Sequence, residues 1–186
     1  MAYYGTKRRV FISHYRGDRV EVDAFIHRFA TLEGVFTPFV LGANNNDDFI
    51  NSTNTSYVMA RIREKYLQDT TVTIVLIGGC THSRRYVDWE IKSSLTQGAY
   101  SPNGLIGIIL PSQGASAILP DRFAANWTQG HVNCYGRYWV YPNDANTLGS
   151  WIEDAYAART SRAHLIHNSR DMMSYNQRCQ VCRITH

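Results

Sequence analysis

Glu90 and Tyr86 are the pair in this chain best placed to do chemistry. They follow a run of β-formers, Thr71 to Ile77, that breaks at Gly78, Gly79 and Cys80 and gives way to Ser83-Arg84-Arg85-Tyr86-Val87-Asp88-Trp89-Glu90-Ile91. This order predicts a buried strand, a short loop and a helix. Residues four apart share a helix face, so the Glu90 carboxylate is expected above the Tyr86 ring, about one turn into that helix. An acid on a ring beside a strand end is an arrangement that acts on a bound molecule. On spacing alone, a solvated glutamate paired with Arg84 or Arg85 explains Glu90 equally well, and a half-buried surface tyrosine explains Tyr86.

Other elements must hold this pair in place. Arg9 to Ser13 reads as a first strand covered on both faces. A helix follows, opened by a capping-box-like Asp18 and Glu21, with Val22, Phe25, Ile26, Phe29 and Leu32 inward and Gly34 as its stop. Val35 to Leu41 is a second strand, and Pro38 assigns it to a sheet edge. A polar loop, Asn44 to Asp48, leads to a helix over Ser56 to Leu67 with Met59, Ile62 and Tyr66 inward. Beyond the Glu90 helix, with its core stripe of Val87, Ile91 and Leu95, come a fourth strand at Leu105 to Leu110, an irregular stretch, and a short fifth strand around Tyr138 to Tyr141. Leu148, Trp151, Ile152, Ala155 and Tyr156 mark a final amphipathic helix. A further helical piece is expected near His164 to Tyr175.

Alternating strands and helices call for an α/β fold: a parallel five-stranded sheet of flavodoxin-like order 2-1-3-4-5 with helices on both faces. Residues 1–158 make the domain, and 159–186 a C-terminal extension packed on or beside it. Ligands of such sheets bind beyond the carboxyl ends of the strands, where the order reverses. Ser13, His14, the loop holding Asp48 and Asn51, Gly78 to Ser83 and the start of the Glu90 helix all gather there.

The 186 residues suit one domain with a full core, and 44% hydrophobic with 18% charged residues is the composition of an ordinary globule. The formal charge of +4 comes mainly from arginine, since only Lys7, Lys65 and Lys92 are lysines. Arginine suits anionic partners, but the basic residues are scattered, which disfavours nucleic acid. Charged Lys7-Arg8-Arg9 comes early, with no apolar leader and no membrane-length run, so a cytoplasmic protein is expected. Cys80, Cys134, Cys179 and Cys182 would then stay reduced. Cys179 and Cys182 have metal-ligand spacing with His186 nearby, yet one CxxC without a second pair is a weak zinc signal, and no metal site is predicted. Neither GxGxxG nor GxxxxGK[ST] follows the first strand, and its Ser/Thr-poor sequel lacks a flavin phosphate loop, so dehydrogenase, nucleotide-triphosphate and flavin chemistry are disfavoured.

Val10-Phe11-Ile12-Ser13-His14, Asp48-Phe49-Ile50-Asn51 and Tyr86-Val87-Asp88-Trp89-Glu90-Ile91, together with the Leu119-Pro120-Asp121-Arg122-Phe123 and Asn126 stretch, resemble the flavodoxin-like TIR-like family in order and spacing. The similarity runs roughly from Lys7 to Ala158 and extends to the TIR-like sensor proteins of Thoeris antiphage defence. It implies an enzyme that cleaves the nicotinamide–ribose bond of NAD, as substrate and not cofactor, with Glu90 as the catalytic carboxylate. Ser13, His14, Asp48, Asn51 and Tyr86 would be its substrate contacts, and Trp89 a packing residue. The product would be an ADP-ribose-derived signal, cyclic or conjugated, that activates a separate effector after a phage-derived trigger. Many relatives carry Trp where this chain has Tyr86. A non-catalytic TIR-like interaction module, an enzyme acting on nucleosides that resemble NAD fragments, and a homo-oligomer are alternatives the residues leave open.

Overall fold

Five parallel strands run through the centre of the computed structural model, which describes residues 3–40, 55–98 and 101–186. They are β1 (Arg8–His14), β2 (Phe36–Val40), β3 (Val72–Ile77), β4 (Gly104–Ile109) and β5 (Arg137–Trp139). Their order is 2-1-3-4-5. This is the predicted flavodoxin-like sheet, and Pro38 lies on its edge strand, paired in register with Val10. β3 and β4 are buried along their whole length, as strands covered on both faces must be.

The helices are α1 (Arg19–Ile26), α2 (Thr55–Ile62), α3 (Arg85–Leu95), a single turn α4 (Asp121–Ala124), and α5 (Ala145–Ser161). Side-chain alternation along the strands sorts them into two layers. Val10 and Ile12 of β1, Ile74 of β3 and Ile108 of β4 pack against Val22 and Phe25 of α1 and Leu148 and Ile152 of α5. On the other face, Val75 and Ile77 meet Val87, Ile91 and Leu95 of α3, while Phe11 meets Ile62 of α2 and Trp89 of α3. The connections leaving β1 and β3 therefore lie on opposite faces, which makes the carboxyl ends of those strands the topological switch point of the sheet.

Four details differ from the sequence expectation. α1 and α2 each continue as a π-helical turn, over His27–Leu32 and Arg63–Leu67. Widening from i+4 to i+5 bonding rotates the face, so Leu32, expected inward, is exposed. Asp18 makes no capping bond to α1; its carboxylate instead accepts from the Thr81 hydroxyl at 3.3 Å, and Glu21 accepts from the backbone N–H of Ser112. α5 runs to Ser161, beyond the Leu148 to Tyr156 pattern that marked it. The helix expected at 164–175 is one 3-10 turn, Ala163–Leu165, followed by extended chain. Ile62 is buried as expected, whereas the Met59 and Tyr66 side chains and the Asn44 to Asp48 loop lie outside what is described.

The extended chain is held by specific bonds along α3. Arg122, fully buried, grips Asp88 with two nitrogens at 2.8 and 3.3 Å and also donates to Asn168 Oδ1 and to the carbonyls of Arg170 and Asp171. Trp89 Nε1 donates to the Met173 carbonyl, and the Arg85 N–H to Asn176 Oδ1. A buried arginine with all these acceptors is satisfied, so it fixes the chain's path as well as compensating Asp88. Among the described residues, no helix is long and apolar enough to cross a membrane.

Candidate active site

Ser13, the penultimate residue of β1, faces the α3 side of the sheet, beside Val75 of β3 in register. From there its hydroxyl donates to Glu90 Oε2 at 2.6 Å, and both residues are buried. The two are joined because the α3 stripe of Val87, Ile91 and Leu95 faces β3 and β4, which turns the adjacent flank with Tyr86 and Glu90 toward β1. Burial pushes the Glu90 carboxyl up to about 8, against the opposing pull of the Ser13 hydrogen bond.

The arginines once eligible to neutralise Glu90 are engaged elsewhere. The Arg84 guanidinium lies 4.0 Å from the Tyr15 ring centroid and donates to the Cys80 carbonyl. Arg85 donates to the Tyr86 hydroxyl and the Ser174 carbonyl. Glu90 thus has a hydroxyl partner and no ion pair among the described residues. A buried, uncompensated carboxyl is costly in its charged form, and that cost is largest where a cationic ligand would relieve it.

Tyr86 is half-buried, edge-on to Trp89 with ring centroids 5.3 Å apart, in the apolar cluster with Phe11 and Ile62. It shares the flank of Glu90, with its hydroxyl tied to Arg85. Trp89 packs inside that cluster, as expected. His14 is not brought to the same side. Alternation turns it away from Ser13, toward Arg19 and Asp23 of α1, and burial followed by the Arg19 charge pushes its imidazole down to about 4, so it is neutral at physiological pH. Asp48 and Asn51 lie outside the described residues.

Sequence reasoning missed a second carboxyl at this end of the sheet. Asp18 covers Gly78 so closely that a Cβ there would run into its carboxylate. Burial raises the Asp18 pKa, with the Thr81 hydrogen bond opposing. The Gly78-Gly79 break was the available signal, since a glycine at a strand end often marks a close approach. A separate cavity of about 480 Å³ opens at the amino ends of the strands, lined by Arg63, Glu64, Thr70, Ser94, Asn103 and Arg159 among others. Glu90 does not line it. Glu90 is the candidate site because the uncompensated carboxyl lies where the strand order reverses.

The family model of the Thoeris protein ThsB, TIR-like domain, matches residues 11–115, which include Ser13, Gly78 and Glu90. The chain belongs to this ThsB TIR-like family. Comparison with curated proteins gives no match. Membership makes it a TIR-like protein of antiphage defence, with the flavodoxin-like sheet described above. The matched span stops before β5, α5 and the chain that wraps α3, so those parts of this ThsB-type protein are read from its own contacts.

Proposed function

We propose that this protein cleaves the nicotinamide–ribose bond of NAD and passes the ADP-ribose unit into a cyclic or conjugated messenger that activates a separate effector. The observation that carries the reading is the buried Glu90 carboxyl, bonded to Ser13 where the strand order reverses and with no ion pair among the described residues. Nicotinamide is cationic in NAD and takes the bonding electron pair when it departs neutral, leaving an oxocarbenium-like ribose. A carboxylate at this position stabilises that cation and accepts hydrogen bonds from the ribose hydroxyls. Water, a hydroxyl of the same molecule or another acceptor then attacks the anomeric carbon and loses its proton.

The raised pKa fits this role. The resting carboxyl holds its proton near neutral pH, and an arriving pyridinium cation favours loss of that proton. Tyr86 supplies an aromatic wall on the same helix flank, Ser13 orients the carboxyl, and Asp48 and Asn51 are proposed to close over the substrate. A phage-derived trigger is proposed to open the site, in keeping with the burial of Glu90. That same burial, with the 480 Å³ cavity elsewhere, favours the rival reading of a non-catalytic interaction module.

Incubation of the purified protein with NAD, with and without extract from phage-infected cells, separates the two by chromatography. Nicotinamide release that disappears in Glu90→Gln supports the enzyme. Absence of release under every triggering condition, from protein that remains folded, supports the module.

A further inference from the structure

The wrapped chain ends its run beside the tip of β3, where it delivers Cys179, Cys182 and His186 to Cys80. Cys80 Sγ lies 3.2 Å from Cys179 Sγ and 3.4 Å from Cys182 Sγ, and Cys182 Sγ lies 3.0 Å from His186 Nε2. The ligand atoms of Cys80, Cys182 and His186 all fall within 4.8 Å of one another. All of these cysteines are free thiols. We infer that Cys80, Cys179, Cys182 and His186 form a structural zinc site that clamps the C-terminal segment onto the tip of β3.

Three thiols and an imidazole are a closed tetrahedral set for zinc, which takes such ligands without an open position in structural sites. With Zn–S near 2.3 Å and Zn–N near 2.0 Å, a tetrahedron has S···S edges of ~3.8 Å and S···N edges of ~3.6 Å. The Cys80–Cys179, Cys80–Cys182 and Cys182–His186 separations are ~0.4–0.6 Å shorter than these edges, while Cys179 Sγ lies outside the set of atoms that are mutually within 4.8 Å, so admitting the ion spreads the close pairs slightly and draws Cys179 inward as the fourth ligand. On binding, the three S–H protons pass to solvent and the thiolates coordinate.

The surroundings are those of a metal centre. His186 Nδ1 is 3.2 Å from the Tyr15 hydroxyl, a hydrogen bond that leaves Nε2 facing Cys182. This outer partner is the usual device for fixing the ring of a metal-bound histidine. The Cys182 N–H points at Cys179 Sγ at 3.5 Å, and the turn closes through Arg183 N–H to the Cys179 carbonyl and Cys179 N–H to the Ile184 carbonyl. Arg183 adopts φ 65°, the left-handed conformation that lets this tight turn fold back. The Gln180 N–H donates to His82 Nε2, anchoring the same turn to the loop after β3. Three thiolates and one Zn²⁺ carry a net charge of −1, and the Arg84 guanidinium is next to Cys80 with a buried Nη2 that has no hydrogen-bond partner. The Arg84 charge offsets that negative charge.

The test uses the full chain, purified under reductant and dialysed against micromolar zinc, followed by metal analysis and by cobalt titration of the stripped protein. About one zinc per chain is expected, with thiolate-to-cobalt charge-transfer absorption and visible bands of tetrahedral cobalt. Cys80→Ser and Cys182→Ser each lose the bound zinc, and Cys134→Ser, which lies outside the cluster, keeps it. Chelation should speed hydrogen exchange at the backbone N–H groups of Cys179, Cys182 and Arg183. Wild-type protein with all thiols reduced that binds neither ion overturns the inference, whatever the variants do. So does zinc that survives Cys80→Ser and Cys182→Ser.

Discussion

Replacing Glu90 by glutamine should alter how stability depends on pH, and the size of the change follows from the buried carboxyl. In the folded chain Glu90 keeps its proton up to about pH 8, against an ordinary value of 4.5. Between these values the folded state binds more protons than the unfolded one. The stabilisation is therefore complete below pH 4.5 and is lost progressively as pH rises toward 8. From about pH 5.5 to about pH 7.5 the linkage relation gives a loss of ~2.5 kcal/mol from this one group. Glutamine retains an oxygen for the Ser13 hydroxyl and does not titrate, so Glu90→Gln escapes the loss. His14, held near 4, tilts the acid side of the curve in the opposite sense, but it does so in both proteins and cancels in the comparison. Urea unfolding at several pH values, with wild type and variant side by side, reads the difference directly. The free-energy gap should widen by ~2–3 kcal/mol in favour of the variant across that interval. Parallel pH profiles would show that Glu90 is ionised in the resting fold, and would remove the electrostatic basis of the proposed site.

Ser13→Ala removes the hydrogen bond that, among the described residues, favours the charged carboxyl, so the Glu90 titration should move to still higher pH, as followed by carbon NMR of the labelled side chain. Arg122→Met leaves Asp88 buried without its cation and should cost about 3–5 kcal/mol in urea unfolding, with most of it recovered in the double variant with Asp88→Asn. Gly78→Ala drives a methyl into the Asp18 carboxylate and should destabilise by about 1–3 kcal/mol, with Asp18→Ala in the same chain relieving the loss.

The sheet order was legible because buried parallel strands are nearly continuous apolar runs, and β3 and β4 have no polar interruption beyond Thr73. Glu90 was legible through its spacing from Tyr86 and from the core stripe of α3. What the sequence hid falls into two kinds. Local bonding choices shift faces without leaving a compositional mark, as at the π-helical turn that exposes Leu32, or at Asp18, which serves Thr81 instead of α1. Long-range returns of the chain are equally silent: nothing near Cys80 announces that Cys182, 102 residues on, comes back to it. His14 shows how alternation can divide neighbours, since Ser13 and His14 are adjacent in sequence and face opposite layers.

The route taken by residues 163–186 decides what can be cut from this protein. A fragment ending where the family match ends, at residue 115, would lack Leu148 and Ile152, which cover one side of the sheet. It would also lack Arg122, leaving the Asp88 carboxylate without its ion-pair partner. Trimming only the final two dozen residues would keep Arg122 but remove its Asn168, Arg170 and Asp171 acceptors. Transplanting the antiviral module into another host protein therefore requires the whole length from β1 through His186, which meets Cys182 and Tyr15, with any fusion partner attached outside it.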